Sequence, residues 1–135
     1  MPSSFRDLRV WQDAMKLSVA VYHQTARFPK HELYGLAQQM PRAAVSVASN
    51  IAEGKGRGSD RDRGHFLFQA RGSLLELQTQ ILIAEQLEYL GHDQTAILDD
   101  ISNGVGRALN GLINSMREKP VGQSGQRPTI QDQRP

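Results

Sequence analysis

Apolar residues recur at helical spacing in four segments of the chain, and no segment shows the alternation that is typical of a strand. This pattern predicts four helices, which cover residues 7–27, 32–53, 60–90 and 94–117. Each predicted helix has an apolar face that must be buried against its neighbours. The pattern therefore predicts an all-α protein, folded as an antiparallel up-down-up-down four-helix bundle.

Residues that favour helix ends set the predicted boundaries. Asp7, Ser59 and Asp93 are predicted N-caps, because their side chains can accept hydrogen bonds from free backbone N–H groups. Pro29 should end the first helix and Gly91 the third.

Pro41 lies inside the second predicted helix, and proline removes a backbone donor from a helix. The sequence therefore predicts a kink or a break between residues 38 and 41. Glycines after this helix predict a flexible loop over residues 54–59.

The first and third helices carry more apolar surface than one core requires. The apolar arc of the first helix spans about half of its circumference, whereas one core needs an arc of about 100°. The third helix has a second apolar row, spaced by seven residues. This excess predicts that the protein assembles into a homo-oligomer. The candidate interface residues are Trp11, Tyr22, Phe68, Leu75 and Leu82.

The predicted bundle domain covers residues 1–117, and residues 118–135 form the predicted tail. The tail is rich in Gln, Gly and Pro and contains almost no apolar residues. Such a segment cannot bury enough apolar surface to fold, so we expect it to be disordered.

The composition excludes several kinds of chemistry. The chain contains no cysteine, and its four histidines do not form a His-Glu-x-x-His motif. No serine lies in a nucleophile-elbow motif. We therefore expect no catalytic residue, no metal and no cofactor, and a protein that is not an enzyme.

No stretch approaches the roughly 20 apolar residues of a membrane span, so we expect a cytoplasmic protein without a membrane partner.

Charge is unevenly distributed along the chain. Residues 1–71 contain 11 Lys or Arg against 6 Asp or Glu, whereas residues 72–117 contain 2 against 6. This asymmetry is typical of a protein with an anionic partner, and equally of complementary surfaces between helices or subunits.

Four basic residues surround the predicted glycine loop, at Lys55, Arg57, Arg61 and Arg63. Because a helix start favours anions, this cluster is a candidate site for RNA or DNA. Two acids within the cluster favour the alternative of a solvated loop and helix cap.

An ordered set of short motifs resembles a known family. The set comprises Phe5-Arg-Asp-Leu-Arg-Val-Trp-Gln12, Phe28-Pro29, Glu32-Leu-Tyr-Gly-Leu36, Gln39, Arg42-Ala-Ala-Val-Ser46, Asn50-Ile-Ala-Glu-Gly54 and Gly72-Ser-Leu-Leu-Glu76. It is similar to the bacterial four-helix bundle proteins that are encoded by intervening sequences in 23S ribosomal RNA genes. The resemblance covers about residues 5–117, and Asn50, Glu53 and Gly54 belong to its most recognisable motif.

The resemblance implies an antiparallel bundle that forms a cyclic pentamer and has no established enzymatic activity. A related branch, the accessory proteins of diversity-generating retroelements, implies binding to nucleic acid and to a reverse transcriptase. Asn50 and Glu53 also allow a structural interpretation, in which they tie the helix end to the loop. The expected function is an oligomeric scaffold or adaptor that binds nucleic acid or a nucleoprotein; the alternative is a purely protein-binding module.

Overall fold

The computed structural model describes residues 4–118, which contain four α-helices, two short 3₁₀ turns and no strand. Residues 1–3 and 119–135, which include nearly all of the predicted tail, lie outside this range. The helices are α1 (Arg9–Thr25), α2 (Leu36–Lys55), α3 (Asp60–Gln86) and α4 (His92–Glu118). The prediction of an all-α fold with four helices is therefore confirmed.

Helix α1 begins two residues later than the sequence predicts. Asp7 belongs to a preceding 3₁₀ turn, where its carboxylate accepts a hydrogen bond from the backbone N–H of Ser4. The hydroxyl of Ser4 in turn accepts a hydrogen bond from the backbone N–H of Arg6. Leu8 occupies the N-cap position of α1 without a side-chain hydrogen bond. The predicted N-cap at Asp7 is wrong because the capping interaction closes the turn before the helix.

Helix α2 begins at Leu36, four residues after the predicted start, because Glu32 lies in a separate 3₁₀ turn. The Glu32 carboxylate still serves the helix, since its Oε1 accepts the backbone N–H of Leu36 at 2.9 Å. The helix then continues through Pro41, so the alternative of a break is wrong, while the kink stays a prediction. Pro41 is the sixth residue of the helix, where it removes the N–H that would donate to the carbonyl of Ala37.

Helix α3 begins as predicted and ends early. The Ser59 hydroxyl accepts the backbone N–H of Asp62, which confirms Ser59 as the N-cap. The helix ends at Gln86 instead of residue 90, because Glu88 adopts a left-handed conformation with φ of 65°. The N–H of Tyr89 then donates to the carbonyl of Ala84, which completes a Schellman motif.

Helix α4 begins at His92, so Asp93 lies within its first turn and is not the N-cap. The Gly91 carbonyl accepts the backbone N–H of Thr95 at 3.0 Å. Gly91 therefore lies at the start of α4, and the left-handed turn at Glu88 ends α3.

The four helices share one apolar core. α1 packs on α2 and α4, and α3 packs on the same two helices. The largest fully buried side chains come from all four helices: Leu17, Val21, Met40, Val47, Ile51, Leu74, Leu77, Ile81, Leu98, Val105, Leu109 and Ile113. Within the described range, no helix is both long enough and apolar enough to cross a bilayer.

Candidate functional site

The predicted basic cluster lies at the connection between α2 and α3. Lys55 is the last residue of α2, Arg57 lies in the connecting loop, and Arg61 and Arg63 belong to the first turn of α3. The loop is short, since only residues 56–59 separate the helices. The four basic residues are therefore held at one end of the molecule.

Two of these four cations already have acidic partners. Arg57 donates to Oε2 of Glu53 at 2.7 Å, and its guanidinium lies 4.7 Å from the centre of the Phe66 ring. Arg63 donates to Oδ1 of Asp60 at 2.5 Å. These pairs are partly exposed, so each stabilises the fold only weakly while reducing the local positive charge.

Lys55 and Arg61 are exposed and form no ion pair with any residue in the range 4–116. With Glu53, Asp60 and Asp62 nearby, however, the connection carries four cations against three acids. Asp60 and Asp62 also occupy the first turn of α3, where the helix dipole favours negative charge. An external phosphate would compete with these carboxylates.

The motif residues Asn50, Glu53 and Gly54 join α2 to its surroundings. The Asn50 amide donates to the carbonyl and hydroxyl oxygens of Ser46, at 2.9 and 3.1 Å. Ser46 and Ser73 in turn share a hydrogen bond of 2.8 Å between their hydroxyl groups. This half-buried polar chain links α2 to α3.

Gly54 allows α2 and α3 to approach closely. It is buried, and a Cβ atom at this position would lie 3.3 Å from both the Arg63 carbonyl oxygen and Cβ of Phe66. Contacts this short are tighter than ordinary van der Waals packing. The contacts of Asn50, Glu53 and Gly54 fit the interpretation that these residues tie the helix end to the loop and to α3.

Four of the five candidate interface residues are exposed: Tyr22, Phe68, Leu75 and Leu82. Trp11 differs, since it is partly buried against the core and its ring meets that of Phe5 edge to face at 5.1 Å. Trp11 therefore packs against the core and exposes only part of its side chain.

Six of the exposed large apolar residues form one row on each of two helices. On α1, Met15, Val19 and Tyr22 follow each other at intervals of four and three residues, so that they share one side of the helix. On α3, Phe68, Leu75 and Leu82 repeat every seven residues. We call these the α1 apolar row and the α3 apolar row.

Further exposed apolar residues escaped the sequence analysis. Leu33 and Tyr34 precede α2, where the predicted helix placed Leu33 on an apolar face, and they are 58% and 79% exposed. Leu33 and Tyr22 line a shared cleft of about 460 Å³ between α1 and the segment that follows it. The late start of α2 leaves both side chains outside its packed face.

Metal binding finds no support in the described residues, since no three His, Asp or Glu side chains there are grouped suitably for an ion.

A small, mainly apolar cleft of about 170 Å³ lies beside Gly54, with Lys55 and Arg63 among its lining residues. It lacks the set of converging polar groups that orients a cofactor or substrate.

Four helices around one apolar core define the class as a small all-α protein. The chain belongs to the family of 23S rRNA-intervening sequence proteins, whose family model matches residues 6–111. This confirms the family that the motifs indicate.

A solved structure has the same fold. It is a protein of unknown function from the S23 ribosomal protein family of Bacteroides thetaiotaomicron, with a TM-score of 0.72 and 18% sequence identity. The alignment covers 77% of this chain and 97% of the other. A search of curated proteins finds no match to this chain.

Proposed function

We propose that this protein is a non-enzymatic scaffold that assembles with copies of itself and binds nucleic acid or a nucleoprotein partner. Each subunit would be an antiparallel up-down-up-down bundle. Connections of ten residues or fewer, over residues 26–35, 56–59 and 87–91, join consecutive helices. α1 and α3 also pack on the same two neighbours, and both observations support that topology.

The observation that carries the proposal is the pair of exposed apolar rows. Each row exposes three large side chains to solvent, and Leu75 alone is 58% exposed. Exposed apolar side chains aligned on one side of a helix favour an interaction site, because their burial is favourable by about 25 cal/mol per Å².

The position of the rows on two different helices favours a cyclic assembly. If the α1 row of one subunit packs against the α3 row of the next, the contact is head-to-tail and can close into a ring. Five copies, as the family resemblance implies, would be one such ring.

A purely protein-binding module is the second candidate. The exposed Leu33 and Tyr34, beside the cleft that Tyr22 lines, favour it, because this surface is apolar and lies away from the basic loop. Salt separates the two candidates, since phosphate contacts weaken steeply with rising salt and an apolar protein interface does not.

Light scattering on variants tests where the subunits meet. Tyr22→Glu and Leu75→Glu each place a charge in one apolar row, and both should lower the mass of the assembly because a charge is costly to bury. Gln69→Glu is the control, since Gln69 is exposed on α3 about 100° away from the Phe68 position. If all three variants keep the mass of the wild type, the rows do not form the interface.

A further inference from the structure

A third face of α1 carries a line of basic residues. Arg9, Lys16 and His23 are spaced by seven residues, and Arg27 follows four residues after His23. Seven residues fall only about 20° short of two full helical turns, so Arg9, Lys16 and His23 lie along one side of the helix. Arg27 lies in the turn two residues beyond the end of α1 at Thr25. All four are exposed. We call this set the α1 basic row.

This basic row is separate from both apolar faces of α1. Val10, Ala14, Leu17 and Val21 point into the core. By the helical rotation of 100° per residue, the α1 apolar row lies roughly 90° from the basic row. One helix therefore contributes to the core, exposes an apolar row and presents a line of positive charge.

The charge of the basic row is poorly compensated. Asp13 is the only acid in α1, and it pairs with Arg9 at 3.6 Å, where the Arg9 side chain is 83% exposed. Lys16 and Arg27 form no ion pair with any residue between positions 4 and 116. Lys30, exposed in the turn after α1, adds a further cation.

We propose that the α1 basic row binds the phosphate backbone of a double-stranded nucleic acid. At 1.5 Å per residue, Arg9 and His23 are about 21 Å apart along the helix, which matches roughly six base pairs at 3.4 Å each. Backbone contacts of this kind position a protein on a duplex without reading its sequence.

The side chains of the row favour a duplex over a single strand. Single-strand binders stack bases on aromatic side chains, and the row from Arg9 to Arg27 contains only basic residues. The row is also a better phosphate surface than the α2–α3 connection, where Glu53 and Asp60 already hold Arg57 and Arg63.

Self-association would strengthen this binding. Because the basic row adjoins the α1 apolar row, each interface in a ring would bring one basic row near the contact between subunits. Several weak contacts would then act together. The inference deepens the proposed function by naming its nucleic-acid surface, and only the gain in avidity depends on the assembly.

Fluorescence anisotropy with a 24-base-pair duplex tests the basic row, using the full chain. The variant Lys16→Gln/Arg27→Gln removes two cations of the row, and Lys55→Gln/Arg61→Gln removes the two unpaired cations of the α2–α3 connection. We expect the row variant to bind the duplex roughly tenfold more weakly at 50 mM salt, with a smaller loss for the connection variant. The slope of log K against log salt should fall in magnitude by about 2 in the row variant.

Three results with nucleic acid would overturn the proposal. The first is a wild type that does not bind the duplex at 50 mM salt. The second is a loss of duplex affinity in the connection variant that is at least as large as the loss in the row variant, and the third is tighter binding to a single strand of equal length than to the duplex. Tighter binding to phosphatidylserine vesicles than to the duplex would also overturn it and would identify a membrane surface as the partner.

The mass of the wild type, measured by light scattering beside its affinity for the duplex, separates this inference from the proposed self-association. If the wild type is monomeric and the row variant still loses duplex binding, self-association is wrong and the basic row stands. If the protein assembles and the row variant binds as the wild type does, the basic row is wrong and the scaffold stands.

Discussion

The hydroxyl group of Tyr89 donates a hydrogen bond of 2.9 Å to Oε2 of Glu32, although 57 residues separate the two in the chain. Since the Tyr89 proton points to Glu32, the Tyr89 oxygen accepts from Nε2 of His31 at 3.0 Å. The other oxygen of Glu32 accepts the first backbone N–H of α2. Glu32 thus joins the turn before α2 to the segment that follows α3.

Removing the Tyr89 hydroxyl should loosen this connection. We expect Tyr89→Phe to lower the Tm by a few degrees, because Glu32 and His31 each lose a partner while the ring keeps its contact with Phe28. Thermal unfolding followed by circular dichroism measures the change. Tyr34→Phe is the matched control, since Tyr34 is 79% exposed and should leave the Tm unchanged. An equal effect of both substitutions would contradict the role assigned to Tyr89.

Glu32 should make the protein sensitive to acid. The Leu36 N–H, followed by the Tyr89 hydroxyl and then by His31, holds the pKa of Glu32 below its usual value of 4.5. The folded state therefore favours the carboxylate, whose stabilising effect is complete above the usual pKa and is lost as the pH falls through the lowered pKa. Glu32→Gln should be less stable than the wild type at pH 7, and urea titrations should show that this difference shrinks in acid.

Asp99 should show the opposite dependence. Burial, and secondarily the charge of Glu85, raise the pKa of Asp99 above its usual value of 3.8. Its ionised form therefore costs stability at neutral pH, and this cost disappears as the pH falls through the raised pKa. Asp99→Asn should be slightly more stable than the wild type at pH 7, with no difference well below pH 3.8. Lower stability of Asp99→Asn at pH 7 would refute this account.

Gly54 should tolerate no larger residue without a cost. Gly54→Ala places a methyl group 3.3 Å from the backbone of Arg63, so α2 and α3 must separate slightly, at a cost of about 1–3 kcal/mol. Gly111→Ala is the control, because Gly111 is a helical glycine with no atom within 4 Å of an added Cβ. It should instead stabilise the protein by about 0.5–1 kcal/mol. Urea denaturation measures both changes, and a stabilising Gly54→Ala would show that the helices are not in close contact there.

The sequence predicts the number of helices and most of the core, because both depend on apolar periodicity. Leu17, Val47 and Leu77 all lie within predicted helices and are fully buried. The helix ends depend on local interactions that periodicity does not encode. Glu32 caps α2 from outside it, and the left-handed Glu88 ends α3 where a glycine was expected.

The candidate site was harder to predict because positive residues were identified without their partners. The spacing of Glu53 and Arg57 already permits an ion pair within one helical turn, and so does that of Asp60 and Arg63. The α1 basic row was equally present in the sequence, as cations at seven-residue spacing. Only the burial of the opposite face shows that its members within α1 are exposed on one side.

Native mass spectrometry of the wild-type chain at micromolar concentration tests the central claim most directly, because it reads the number of subunits from the mass. A scaffold that assembles through its apolar rows should give one dominant species at a whole multiple of 15.0 kDa. That species should persist at high salt, since apolar contacts do not weaken as ion pairs do. A single species at 15.0 kDa would show that the exposed rows do not join subunits and would contradict the proposed assembly.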